Sequence, residues 1–371
     1  MIYKLFFKRR IFFEKARYFL NIDKKKLKNR IFIVLRIVVS IGILFFLFKT
    51  QFSNFSEIIS YLSSTKVNFW LIGLSFLMYW LGIYFLVLRW QILLKTQHIK
   101  ASMPFLFGSY LVGYFFNNFL PTSIGGDVYR IYDTSKLKNS SGMKAASIVL
   151  MERTTGVMSS IIYLVFALAI GFLRTSHVEF KLGNLNVSNN ILIIMILIFF
   201  ALAILIILIM LFPDYFRLNK VFRKLKFLHK WEDKLRQMYN TFKDFRRFKL
   251  ILLITILLSM LLQFTFTLNY SFCSQGFGIT ELSLIAYIFI IQISSILTMI
   301  PVSIGGIGVR EGTFVVLVGA LGGQRNIATI VSIAVLIMIL VPGIVGGIIY
   351  ALRPYLDRRK KRELETARET S

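Results

Sequence analysis

Six stretches of this 371-residue chain are each long and apolar enough to cross a membrane: Ile31–Phe48, Asn68–Trp90, Met143–Leu173, Ile191–Phe212, Leu250–Cys273 and Ile327–Leu352. Spanning roughly 30 Å of hydrocarbon takes about 20 mostly apolar residues. Inside lipid, every backbone amide must find its partner within the protein, so these segments have to be helices. Composition agrees. With 56% hydrophobic residues, 37 Phe and only 17% charged residues, the chain is neither a water-soluble domain, which is nearer one quarter charged, nor disordered. The expected fold class is all-α, a polytopic transmembrane helix bundle.

A formal net charge of +28 fits nucleic acid or an anionic membrane as partner. Of the 45 basic residues, eleven lie in segment 1–30, twelve in 213–249 and seven in 353–371. In the first segment Phe6, Phe7, Phe12 and Phe13 interleave with Lys8, Arg9, Arg10 and Lys15. In the second, Leu228, Trp231, Leu235, Met238, Phe242 and Phe245 recur at three- and four-residue spacing, a pattern suited to the headgroup layer of an anionic bilayer. Interleaved basic and aromatic residues also stack on single-stranded nucleic acid, but the neighbouring spans select lipid, and no nucleic acid is expected. Cys273 has no partner for a disulfide, and His98, His177 and His229 are scattered, so no metal or cofactor is expected. The first apolar run lies too far behind its basic arm to be a cleavable leader. The chain divides into a basic amphipathic cytoplasmic arm at 1–30, a transmembrane unit at 31–352 carrying the basic loop 213–249, and a charged cytoplasmic tail at 353–371.

Loops rich in Lys and Arg stay on the cytoplasmic side, which puts both termini and the 213–249 loop inside a cell membrane. The loop near Arg89, Lys95 and Lys100 then follows two spans and is also inside. Counting back from 213–249 places Arg130, Lys136 and Lys138 inside as well. The apolar stretch Met103–Gly126 therefore starts and ends on one face, and is predicted to be a re-entrant hairpin. By the same count Leu282–Gly322 starts and ends outside and re-enters from the opposite face. A reading in which both stretches span fully breaks the charge rule at two loops.

The two interrupted stretches share a sequence. Pro121, Ser123, Ile124, Gly125, Gly126 and Arg130 coincide without gaps with Pro301, Ser303, Ile304, Gly305, Gly306 and Arg310. Proline removes a helix donor and paired glycines relax the backbone, so both copies read as helix breaks. Broken helices in inverted repeats, meeting near the midplane, are a transporter architecture. Gly-Gly also serves to bring two helices close together.

Ionisable residues within spans cost about 2.5–3.5 kcal/mol each on insertion scales and seek partners or a polar interior. Arg36 can reach the cytoplasmic boundary. Arg130, Arg153 and Arg310 stand against Asp127, Glu152 and Glu311. These acids either neutralise the arginines for structure or orient them to grip a phosphate or carboxylate. Ser123, Gly125, Gly126, Ser303, Gly305 and Gly306 complete the candidate substrate site, and Asn117 and Asn118 offer a polar lining.

Three motifs together, Leu120–Arg130, Glu152–Gly156 and Pro301–Gly312, resemble the flippase-like transmembrane family typified by the membrane domain of lysylphosphatidylglycerol synthase. The resemblance covers roughly residues 31 to 352. It implies a multi-span bundle with two inverted re-entrant hairpins that moves anionic or lipid-linked substrates between leaflets. In bifunctional members a soluble aminoacyl-transferring domain follows; the 19 residues after Leu352 are too few for one, so lipid aminoacylation by this chain is not expected.

The leading expectation is a transporter for an anionic phospholipid or a polyprenyl-phosphate-linked saccharide. One rival is a membrane-embedded enzyme using Glu152, Glu311 or Asp127 as acid or base, although no nucleophile with a base at helical spacing is evident. The other is an accessory subunit whose basic cytoplasmic surfaces hold a soluble transferase partner.

Overall fold

The computed structural model describes residues 66–119, 125–174, 248–298 and 305–369, Ser303, a strand pair within 180–187, and isolated helical positions at 42, 45, 49, 194, 198 and 201. The predicted spans Ile31–Phe48 and Ile191–Phe212, the basic arm and the 213–249 loop lie almost wholly outside the described residues.

Among the described residues eight helices have defined bounds, in order: α1 (Phe69–Thr96), α2 (Met103–Phe119), α3 (Gly125–Ser135), α4 (Gly142–Arg174), α5 (Lys249–Gly276), α6 (Leu284–Thr298), α7 (Val309–Ala320) and α8 (Arg325–Glu369). Between α4 and α5 a short antiparallel ribbon pairs β1 (Phe180–Leu182) with β2 (Leu185–Val187). Four of the described helices, at 69–96, 142–170, 249–276 and 325–353, have the length and apolarity to cross a membrane. Their exposed faces carry large hydrophobics such as Trp70, Leu77, Leu253, Leu257, Ile337 and Ile344, as lipid-facing helices must.

Local chemistry sets the ends. Asn68 caps α1, its side-chain oxygen accepting from the Trp70 and Leu71 amides at 3.1 and 3.3 Å, which satisfies donors that the first turn cannot. The helix then runs past Arg89 to Thr96, six residues beyond the expected span end at Trp90, so the loop expected near Arg89 begins only at Gln97. Similarly, Arg130 belongs to α3, which starts at Gly125 and carries the first broken stretch on to Ser135. α8 is continuous from Arg325 to Glu369. The compositional boundary at 352/353 is therefore no break in the helix.

Among the described residues, the packing is that of two sets of four helices exchanged onto each other. α1 lies along α5 as the most extensive interface, α2 packs on α8 where α6 packs on α4, and α3 contacts α4 where α7 contacts α8. α1 and α5 run antiparallel. The Asn68 amide donates to the Gly276 carbonyl at 2.9 Å, Ser75 meets Asn269, and Arg89 meets Ser259. Equivalent first helices of the two units thus point in opposite directions, the relation expected of an inverted repeat.

The repeated glycine motif folds differently in its two copies. Gly125 and Gly126 are already helical. Gly305, Gly306 and Gly308 instead adopt φ of 57°, 79° and 87°, a left-handed run that side-chain-bearing residues resist. Gly308 stands where the first copy has Val128, and this substitution permits the longer turn before α7.

Elsewhere glycine serves proximity. A Cβ at Gly346 of α8 would sit 1.9 Å from the Leu111 carbonyl oxygen of α2. Backbone cannot rotate away, so Gly346→Val is expected to lower stability in detergent by about 1–3 kcal/mol. Gly73→Ala, with nothing within 4 Å of its added methyl, should not, as thermal unfolding of the purified variants would show.

Candidate functional site

Several buried charges gather around Glu152 of α4, which is 2% exposed. Its Oε1 accepts from Arg89 Nη2 of α1 at 3.0 Å and from the Tyr110 hydroxyl of α2 at 2.6 Å. Its Oε2 accepts from Arg130 Nη1 of α3 at 2.9 Å. One carboxylate therefore ties four helices together. Arg89 extends the web to α5 by donating to Ser259 Oγ at 2.7 Å. The Arg130 guanidinium also lies over the Tyr110 and Trp90 rings, 4.2 and 5.0 Å from their centroids, a placement in which the ring quadrupole attracts the cation.

Asp127 stands one turn before Arg130 on α3 and pairs with it at 2.8 Å. The other Asp127 oxygen takes the guanidinium of Arg153. The cluster then holds Arg89, Arg130 and Arg153 against Asp127 and Glu152, one positive charge in excess. That excess is reachable only at Arg153: its side chain is 51% exposed, against 6% for Arg89 and Arg130.

Arg153 also stands on the shared wall of two cavities. A smaller one, about 230 Å³, lies against Arg89, Tyr110, Asp127, Arg130 and Glu152. A larger one, about 510 Å³, reaches Arg310 and the Gly305–Gly306 turn. Tyr114, Asn117 and Arg153 line both. The Gly126 amide donates to Asn117 Oδ1 at 2.8 Å, and a Cβ at Gly305 would lie 2.9 Å from the Asn117 carbonyl oxygen. The two repeat motifs thus converge on the end of α2.

The structure brings together most of the predicted residues and divides their partners. Arg130, Arg153, Asp127 and Glu152 form one network. Arg310 bonds through Nε and Nη2 to Oε1 of its own neighbour Glu311, at 3.0 and 2.8 Å. The other Glu311 oxygen accepts from the Gly308 amide at 2.6 Å, capping α7. Glu311 is therefore committed to its helix and its arginine. Ser303 is buried, without a place on either cavity wall. Ser123 lies outside the described residues. Asn117 and Asn118 line the larger cavity as the sequence led us to expect.

A family model described as the lysylphosphatidylglycerol synthase TM region matches residues 33–347. The chain belongs to that family. Among its relatives, the UPF0104 membrane protein PH1989 of Pyrococcus horikoshii is 26% identical over 329 residues, covering 84% of this chain and 95% of the relative. The UPF0104 membrane protein MJ1595 of Methanocaldococcus jannaschii is 30% identical over 135 residues, 36% of this chain and 39% of that relative. The match to the lysylphosphatidylglycerol synthase TM region spans every helix that contributes to the charge cluster.

Two members of that cluster escape sequence reasoning. Arg89 reads as a loop charge because the polar run Lys95–His98 comes soon after it, yet the helix carries it inward onto Glu152. Tyr110 reads as one aromatic among many. A signal for Arg89 does exist: it sits between Leu88 and Trp90, followed by Ile92, Leu93 and Leu94, an apolar setting unlike that of a surface arginine.

Removing the charge of Glu152 takes from buried Arg89 its carboxylate partner and leaves Arg130 with Asp127 alone, which costs about 3–5 kcal/mol for a broken buried pair. Glu152→Gln is expected to lower the detergent unfolding temperature strongly. Arg153→Gln, half in the open, should leave it nearly unchanged in the same scan.

Proposed function

We propose that this chain is a multi-pass transporter, not an enzyme, which carries the anionic headgroup of a phospholipid or polyprenyl-phosphate-linked saccharide between the leaflets of a cell membrane. The observation that carries the reading is Arg153, an accessible guanidinium with the cluster's surplus charge, placed on the shared wall of two cavities. A guanidinium recognises phosphate with paired, charge-assisted hydrogen bonds. Holding it on Asp127 while one face stays open pre-positions it without satisfying it fully. The family name supports a lipid-related membrane role.

The broken helices supply the moving parts in this reading. α2 and α3 have 17 and 11 residues, α6 and α7 have 15 and 12. At 1.5 Å per residue the longest is about 26 Å, short of the hydrocarbon core. Each pair is therefore read as a hairpin entering and leaving by one face, the first from the cytoplasm and the second from outside, with both termini cytoplasmic. Shifts of the two hairpins against α1, α4, α5 and α8 would open the wall at Arg153 to each leaflet in turn. A soluble transferase docking on the basic cytoplasmic surfaces would deliver or collect the lipid.

In proteoliposomes carrying labelled lipids, the wild-type chain is expected to speed leaflet exchange of anionic lipids. Arg153→Gln should abolish that exchange while retaining the folded yield and unfolding temperature. Exchange that persists in Arg153→Gln, or is absent from wild-type protein with every anionic lipid tried, refutes the transport reading. For topology, single cysteines at Tyr132 and Leu284 should react with an impermeant thiol reagent from the inside and the outside respectively; both reacting from one side would rule out the inverted hairpins.

A further inference from the structure

The end of α3 farther from its glycine pair is tied to α8 by one guanidinium. Arg353 Nη1 donates to Asp133 Oδ1 and Oδ2 at 2.9 and 2.8 Å, and to the Tyr129 hydroxyl at 2.6 Å. Among the described residues this is the only ion pair that joins α1–α4 to α5–α8. The Phe105 ring of α2 lies 5.0 Å from the same guanidinium. One turn earlier on α8, Tyr350 meets the rings of Phe116 and Tyr129 edge-on, at 5.2 and 5.8 Å.

The two helices differ in how firmly they are seated. α8 is a fixed post, helical from Arg325 to Glu369. At Gly343, Gly346 and Gly347 the α2 residues Asn118, Leu111 and Phe115 come so close that an added Cβ would meet them at 3.0 Å or less. α3 is an 11-residue arm whose backbone packs on α2 and α4, while α8 reaches it through side chains. Buried contacts pin the start of α3: the Gly126 amide donates to Asn117, and Arg130 to Glu152. Its outer face is open, with Val128 and Tyr132 exposed. The Arg353 side chain is 26% exposed, against 6% for Arg89 and Arg130. Water and salt therefore reach this pair, and a pair so placed breaks far more readily than the buried pairs of Glu152.

We infer that Arg353 is a releasable latch on the first broken helix pair: while it holds Tyr129 and Asp133, α3 stays against α8, and when it lets go, α3 tilts away about its pinned end. Asp127 and Arg130 line the smaller cavity and ride on α3. The tilt therefore reshapes that cavity and shifts the carboxylate that holds Arg153. This goes beyond the transport reading: it concerns a distance between two helices, and holds or fails whether or not lipid is moved.

The test is a spin-label distance between α3 and α8, measured on the full-length protein in phosphatidylcholine nanodiscs. Tyr132→Cys and Ile348→Cys place the labels on exposed positions, and the native Cys273 is fully buried. With Arg353 intact, a single short distance should dominate. Arg353→Gln and Asp133→Asn should each raise the share of a longer distance about fivefold, the effect of losing a part-exposed ion pair. Arg353→Lys should keep the short distance, because one nitrogen makes all three contacts and an ammonium supplies three donors. Raising salt to about 1 M should populate the longer distance when Arg353 is present and change nothing in Arg353→Gln, since screening acts on the pair alone. The distance distribution staying unchanged in both charge-removing variants overturns the latch. So does a longer distance as populous in Arg353→Lys as in Arg353→Gln, or one that appears only with a fall in unfolding temperature as large as that of Glu152→Gln.

Discussion

Glu152 is the interaction on which the rest of the described structure depends. A single carboxylate, removed from water, accepts from Arg89, Arg130 and Tyr110 on three different helices while itself belonging to a fourth. Desolvating such groups is costly, and mutual attraction repays the cost only when geometry is close and hydrogen bonds use the available atoms. Here both carboxylate oxygens are engaged, and the Arg89 Nε alone stays unpartnered within the pairings of that residue. The consequence is positional. With α1, α2, α3 and α4 tied to one point, the first broken helix pair has a fixed seat against its neighbours, and Asp127 is left to present Arg153 to open space.

The second unit reaches a comparable shape by different means. Where the first copy of the repeat has Asp127, the second has Ile307, and where the first has Ile131, the second has Glu311. The acid has moved from before the arginine to directly after it. Arg310 is consequently neutralised by its own neighbour at the start of α7 rather than by other helices. One half of the bundle holds an interhelical web of charge, and the other a self-contained helix cap beside a left-handed glycine turn. Symmetry in backbone arrangement accompanies asymmetry in electrostatics, so the cavity between them has a charged end at Arg153 and a predominantly neutral α6 wall.

Much of this was legible before any coordinates. Hydrophobic runs gave the membrane helices at 69–96, 142–170, 249–276 and 325–353 to within a few residues, because a helix in lipid has no alternative partner for its backbone. The paired P-x-S-I-G-G motifs marked two broken segments, and Asn117 and Asn118 were recognisable as a polar lining. Arg89 was not, because charge counting treats an arginine near a helix end as a topological marker. Only packing against α4 and α5 turns it inward. Nor could spacing along the chain separate Arg153 from Arg130: both are arginines within reach of the same two acids, and exposure distinguishes them.

The sequence by itself determined that this is a multi-pass helical membrane protein with two related breaks. Those properties follow from hydrocarbon thickness, backbone hydrogen bonding and the local preferences of proline and glycine, all of which act over a few consecutive residues. Tertiary structure alone decided which charges pair, which guanidinium keeps an open face and which residues the two cavities share. Pairing energies depend on distance and burial between helices far apart in the chain, and no local pattern encodes them. The convergence of Gly126 and Gly305 on the end of α2 is of that second kind: two motifs 179 or more positions apart meet because α1 and α5 run in opposite directions.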